Sequence, residues 1–296
     1  MPRSEHAARL DDPAEGSASP LPGGERSQGA GLAGEGASSP RTDEAPPHPA
    51  LRADLSPPGR GDGAHADIRL PGADAGLLKL LTWLSPAFPI GAFSYSHGLE
   101  WAVEIGDVTT RAALVDWLDA LLAHGGLGSD AVFFARAHDA VAEGDAAGLA
   151  AVAELAAAFQ PSRERRLESF AQGTAFLTAI RASAPTSALD LAQGWDGPVA
   201  YSVAVALASA GHGLPRDPAL AAFLHAGVAN LISAAVRLVP LGQTDGLRAL
   251  AALEPAVLAA AGRAARTPLD DVSGAAFRSD IASMRHETQR TRLFRT

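Results

Sequence analysis

All 16 aromatic residues of this 296-residue chain lie beyond residue 74, while residues 1–74 hold 11 of its 30 glycines and 11 of its 21 prolines. A segment without Phe, Trp or Tyr buries too little apolar surface to offset the entropy of ordering it. Residues 1–74 are therefore expected to form a disordered Gly/Pro-rich extension. Residues 75–296 must build the fold, and that length is ample for one core.

Within the body the apolar residues recur at helical spacing. Leu114, Trp117, Leu118, Leu121 and Leu122 form one such set behind Thr109 or Thr110 as a cap. Gly125, Gly126 and Gly128 are expected to end that helix, and Ser129-Asp130 to cap the next, with Ala131, Phe134, Ala135 and His138 on one face. Asp145 and Ser162 read as further N-caps. Asp217-Pro218 has the pattern of a cap followed by Pro at the first helical position. That helix should stop before Pro240, and Pro255 is expected to disturb the one after it. Few runs alternate with period two, and Asp62-Gly63, Asp196-Gly197 and Asp245-Gly246 do not sit between strand-like segments. The expectation is an all-α fold, a single globular domain of about eight to ten helices.

Composition excludes several functions. There is no cysteine, which removes disulfides, thiolate metal sites and a cysteine nucleophile and fits a reducing compartment. With 24 basic against 33 acidic residues and a net charge of −9, no nucleic-acid partner is expected, because phosphate binding needs concentrated positive charge. Lys79, the only lysine, stands in the apolar run 77–81, so the chain has no Gly-Lys-Ser/Thr phosphate loop. Met1 is followed by a polar, acidic, Pro-rich stretch, so no secretory signal is expected. Residues 197–215 and 218–236 are each free of Asp, Glu, Lys and Arg over 19 residues, close to membrane-spanning length. They are Ala-rich and carry His212, His225 and Asn230, so the reading is buried helices and no membrane.

Candidate chemistry is sparse. His97 and Glu100 stand one helical turn apart and can face one metal, the basis for a metal-dependent helical enzyme as the competing reading. Two ligands fall short of the three that catalytic zinc takes, and no metal site is assigned. Ser94, Ser96 and His97 adjoin in sequence, which makes no triad, and the nucleophile elbow is absent. Glu164 and Glu168 among Arg163, Arg165 and Arg166 read as a solvated helix face. The last residues, 284–296, set Met284, Leu293 and Phe294 among four arginines. Bulky apolar residues among arginines have the composition of an interface anchor. Two readings stay open: a tail that binds a partner, and a tail packed on its own body.

Three segments together resemble one family: Ser-Pro-Ala-Phe-Pro-Ile-Gly-Ala-Phe-Ser-Tyr-Ser-His-Gly-Leu-Glu at 85–100, Val-Arg-Leu-Val-Pro-Leu-Gly-Gln at 236–243, and Arg-His-Glu-Thr-Gln at 285–289 with Thr-Arg-Leu-Phe-Arg at 291–295. They resemble the UreF family of urease accessory proteins in order and spacing across residues 75–296. The resemblance implies a cytoplasmic, non-catalytic homodimer that binds no cofactor itself. Its implied partners are UreD (also called UreH), the GTPase UreG and apo-urease, with nickel and GTP acting through those partners while a urease lysine is carbamylated. It implies that Arg285, His286, Glu287, Thr288, Gln289, Arg292, Leu293 and Phe294 dock on UreD/UreH. Ser94, Tyr95, Ser96, His97 and Glu100 would face UreG and nickel transfer. Arg290 stands where the family usually has Tyr, and Arg237 where Lys is common.

Overall fold

The computed structural model describes residues 72–296. The expected extension lies outside the described residues except for its last three, Gly72, Ala73 and Asp74, which already belong to the first helix. Among the described residues ten α-helices follow one another: α1 (Gly72–Trp83), α2 (Leu99–Glu104), α3 (Arg111–His124), α4 (Gly126–Glu143), α5 (Ala146–Ala158), α6 (Arg163–Ser183), α7 (Tyr201–Gly211), α8 (Arg216–Leu238), α9 (Gln243–Ala264) and α10 (Phe277–His286). Short 3₁₀ turns occur at Ala92–Ser94, Ser187–Gly194 and Leu269–Asp271. No strand occurs among the described residues, and the fold is all-α.

Local chemistry sets most helix starts. Thr110, Asp145 and Ser162 each accept a hydrogen bond from the backbone N–H three residues on, at 3.2, 2.9 and 3.1 Å, and so satisfy a donor that the first turn leaves free. Four expectations are corrected. Ser129 lies inside α4, which begins at Gly126 behind Gly125, and its hydroxyl donates to the Gly126 carbonyl at 3.2 Å. Glycine ends α3 only at Gly125. α8 begins at Arg216 behind Pro215, so Pro218 falls within the first turn, where its missing N–H costs nothing. α9 runs unbroken through Pro255. The carbonyl that Pro255 leaves without a partner belongs to Ala251, and both residues are exposed, so water can serve it.

α7 is buried from Ser202 to Ser209 and packs against α4 and α6. This explains its lack of charge: no face of it meets water. α4 is nearly as enclosed, with Phe133 and Phe134 fully buried. A chain of rings runs through this core, from Phe88 to Phe176 (5.3 Å between centroids), Tyr201 (5.9 Å) and Phe223 (5.6 Å). α8 differs. It is the one helix among the described residues long and apolar enough to cross a membrane by length and composition, and half of its apolar window is buried inside the protein. Leu220, Leu224, Val228, Leu231 and Ile232 point inward, while Ala222, Ala229 and Ser233 remain on the outer side.

Candidate functional site

The two distant motifs of the sequence meet in space. Residues 85–98 run in tight turns, and Gly91, His97 and Gly98 take left-handed backbone conformations with φ of 71°, 57° and 77°. For His97 that conformation is strained, since a Cβ disfavours it. Gly98 is required twice over. Besides its φ, a Cβ there would lie 2.5 Å from the Ser283 nitrogen, so its absence lets α10 lie directly on the start of α2. The turns leave Ser96 and Glu100 buried and facing the C-terminal segment.

α6 forms the other wall. Glu164, Glu168 and Gln172 repeat at four-residue spacing and share one helix face. The buried side of α10 consists of Ser279, Ala282, Ser283 and His286. Ser283 and Ser162 share a hydroxyl contact of 2.5 Å, and Glu287 accepts from the Arg163 backbone N–H at 2.8 Å. The helix is thus fastened at its C-terminal end to the start of α6.

His286 has no exposed surface. Its Nδ1 lies 2.6 Å from Glu164 Oε2 and its Nε2 lies 3.1 Å from Glu100 Oε2. A carboxylate only accepts, so both contacts are made when the ring carries both protons. Glu100 also accepts the Leu293 and Phe294 backbone N–H groups at 2.6 and 2.9 Å. Glu164 accepts from Arg292 at 2.6 Å. The Arg295 N–H donates to the Ser94 carbonyl at 2.8 Å, and the Ser96 N–H to the Thr296 carbonyl oxygen at 2.9 Å. The Ser96 hydroxyl reaches the same oxygen. The Thr296 hydroxyl donates to Glu168 at 2.8 Å. The Phe294 ring is buried beneath the Arg237 guanidinium, 4.4 Å from its centroid, and Arg237 also donates to the Phe93 carbonyl. Gln289 donates to Glu104.

Behind this lies a second buried charge group. Arg165 bridges Glu168 at 2.5 Å and approaches Asp130 at 3.9 Å. His97 Nε2 is 2.8 Å from Glu168 Oε1. Burial alone would push the Glu168 carboxyl up, but Arg165 and His97 against it bring it down to about 2. Burial pushes His97 below its ordinary value, and Arg165 adds to that. Burial pushes Asp130 up against the pull of Arg165. These groups form the floor of a cavity of about 490 Å³ whose walls include Leu77, Leu81, Phe93 and Phe223.

The predicted site residues therefore divide. Tyr95, Ser96, Glu100, His286, Gln289 and Phe294 are buried in this chain, Ser94, His97 and Glu287 are half-buried, and Arg285, Thr288, Arg292 and Leu293 are exposed. Of the two readings left open for the C-terminus, packing on the body describes this conformation. His97 and Glu100 do not converge on one point. Each turns to a separate partner, and no group of three His, Asp or Glu able to hold a metal occurs among the described residues. The solvated-face reading of α6 is corrected: Arg163 and Arg166 are exposed, but Arg165 and Glu168 are buried and Glu164 is half-buried. Glu164, Glu168, Arg165, Asp130 and Arg237 take part in these buried contacts although none of them was a predicted site residue. A usable signal existed in the polar stripe 164/168/172, which matches an Arg-rich segment elsewhere in the chain.

The opposite side of α10 is open. Phe277, Ile281 and Met284 are 70, 54 and 50% exposed and repeat at helical spacing, and Leu293 is 64% exposed. Arg278, Arg285, Arg290 and Arg292 are also exposed.

Comparison with known proteins gives a consistent result. A sequence model of the UreF family matches residues 108–254. The urease accessory protein UreF of Rhodopseudomonas palustris (strain HaA2) is 60% identical over 223 residues, covering 75% of this chain and 94% of that protein. The urease accessory protein UreF of Bradyrhizobium sp. (strain ORS 278) is 55% identical over 233 residues, 77% of this chain and 97% of that protein.

Proposed function

Because this chain belongs to the UreF family of non-catalytic urease accessory proteins, we propose that it acts in the cytoplasm as the adaptor of a UreD/UreH–UreF–UreG complex. That complex matures apo-urease by nickel insertion and lysine carbamylation. Nickel is cargo and GTP is the substrate of UreG, so neither is a resident cofactor of this chain.

The observation that carries the reading is the open face of α10. An apolar stripe of Phe277, Ile281 and Met284, continued by Leu293 and flanked by arginines, has the make-up of a protein interface. We assign UreD/UreH to this face. Arg285, Thr288, Arg292 and Leu293 are then contact residues. His286, Glu287, Gln289 and Phe294 hold the segment in the shape that the partner meets. UreG is assigned to the edge of the cavity rim where Ser94 and His97 are partly accessible beside the exposed Phe93, and not to the edge formed by α1 and α8. Tyr95, Ser96 and Glu100 support that rim from inside. Homodimer formation is assigned to Leu77, Leu78 and Leu81 on α1 with the uncharged outer stripe of α8. A charge-free face can meet its own copy without like charges opposing.

The test is size-exclusion chromatography with light scattering on the full chain and UreD/UreH. Ile281→Glu with Met284→Glu should abolish the complex, while Leu247→Glu, on exposed α9 surface, should leave it intact. A complex that survives the α10 double variant would move the interface elsewhere.

A further inference from the structure

The seat of residues 292–296 has the features of a peptide-binding groove. Each residue of that segment is read separately: Arg292 by Glu164, the Leu293 and Phe294 N–H groups by Glu100, the Phe294 ring by Arg237, the Arg295 N–H by the Ser94 carbonyl, and Thr296 by Ser96 and Glu168. The segment is irregular and pairs main chain to main chain with residues 94–96, as added-strand ligands do. Three carboxylates of the body, Glu100, Glu164 and Glu168, meet a segment bearing Arg292 and Arg295. Arg290 and Thr291, which join the segment to α10, are exposed and make none of these bonds. The holding contacts therefore do not depend on the covalent link.

We infer that the groove formed by residues 94–100, α6 and Arg237 is a peptide-reading site for the pattern Arg-x-Phe-x-Thr, Leu293 being held by its backbone N–H alone. It is filled in cis by this chain's own segment and takes the same segment from a second copy when the hinge at 290–291 opens. Exchange of an identical element between copies conserves every contact, so its cost is confined to the hinge. The inference rests on the geometry of the groove and stands apart from the assignment of UreD/UreH to α10.

The experiment uses the full chain with its own segment disabled by Arg292→Ala and Phe294→Ala. The probe is a fluorescein-labelled synthetic peptide with the sequence of residues 287–296, followed by fluorescence anisotropy. Saturable binding in the micromolar range is expected. The wild-type chain should bind the probe at least about tenfold more weakly, because its tethered segment competes at roughly millimolar effective concentration. Adding Glu100→Gln to the disabled chain should also weaken binding about tenfold or more, since two N–H groups lose a charged acceptor. No binding by a disabled chain of native helicity, or equal binding with Glu100→Gln, would overturn the inference. Should the disabled chain lose helicity, wild-type protein with the unlabelled peptide at millimolar concentration serves instead. Displacement should speed tryptic cleavage at Arg292, and an unchanged rate would overturn the inference.

Discussion

The α4–α7 core and the C-terminal groove are both buried, yet they are held by opposite means. The core is held chiefly by undirected packing of Ala, Val, Leu and Phe, with the Ser202 hydroxyl donating to Asp130 at 3.1 Å as a directed bond between the two helices. The groove is a set of directed contacts in which Glu100 serves three donors and Glu164 serves two. Losing one apolar contact in the core leaves a cavity, whereas losing one acceptor in the groove leaves several polar groups without a partner. Damage to the first should spread over the whole molecule, and damage to the second should stay at the C-terminus.

The largest expected effect tests the core. Phe176 touches the rings of Trp83, Phe88 and Tyr201. Phe176→Ala should lower global stability by about 3–5 kcal/mol in urea unfolding. A loss below about 1 kcal/mol would mean that the core can collapse around the gap. Next comes the groove. Glu100→Ala should weaken the seating of residues 292–296 by about 1–3 kcal/mol, seen as tenfold or faster tryptic cleavage at Arg292. Amide exchange in α4 and α7 should stay unchanged, and if those helices loosened too, the two regions would be one cooperative unit.

How far these regions could be read from sequence follows the same division. The core was legible because helical periodicity and the charge-free run that forms α7 report directly on burial, whereas the second charge-free run forms α8, which is only half buried. The caps at Thr110, Asp145 and Ser162 were legible because their side chains act on the next three residues. The groove was not, because it joins Ser96 to Thr296 and Glu100 to His286 across nearly the whole body. Nothing local distinguishes a Glu that will be buried against a distant Arg from one left in water, and Glu164 and Glu168 were misread for that reason. Ser129 and Pro255 were misread because a helix tolerates a serine that bonds back to its own carbonyl, and a proline whose orphaned carbonyl faces solvent.

A smaller effect sharpens the contrast through pH. Folding holds His97 below its ordinary value, so the unfolded chain takes up that proton first and stability falls as pH drops below about 6.5. Glu168, held down at about 2, contributes stability above the ordinary carboxylate range, and this is lost as pH falls from about 4.5 toward 2. His97→Gln should reduce the slope of the stability curve between pH 6.5 and 5 in thermal unfolding, leaving the share of His138, which burial also holds low, and should shrink the lower arm without removing it, because Arg165 still holds Glu168 down. An unchanged upper arm would show that His97 is not the group responsible. The smallest effect is expected at the open face of α10. Ile281→Glu and Met284→Glu should change stability by no more than about 0.5 kcal/mol, and a larger loss would show that the stripe is packed.

The most direct test of the account is hydrogen exchange at single-residue resolution for the Leu293 and Phe294 amides, in the wild-type chain and in Glu100→Gln. Both donate to the buried Glu100 carboxylate. The account predicts slow exchange at both in the wild type, and a shared loss of protection in Glu100→Gln while α4 and α7 stay protected. Exchange at the free-peptide rate in the wild-type chain would contradict it, because the C-terminal segment would then not be seated on residues 94–100.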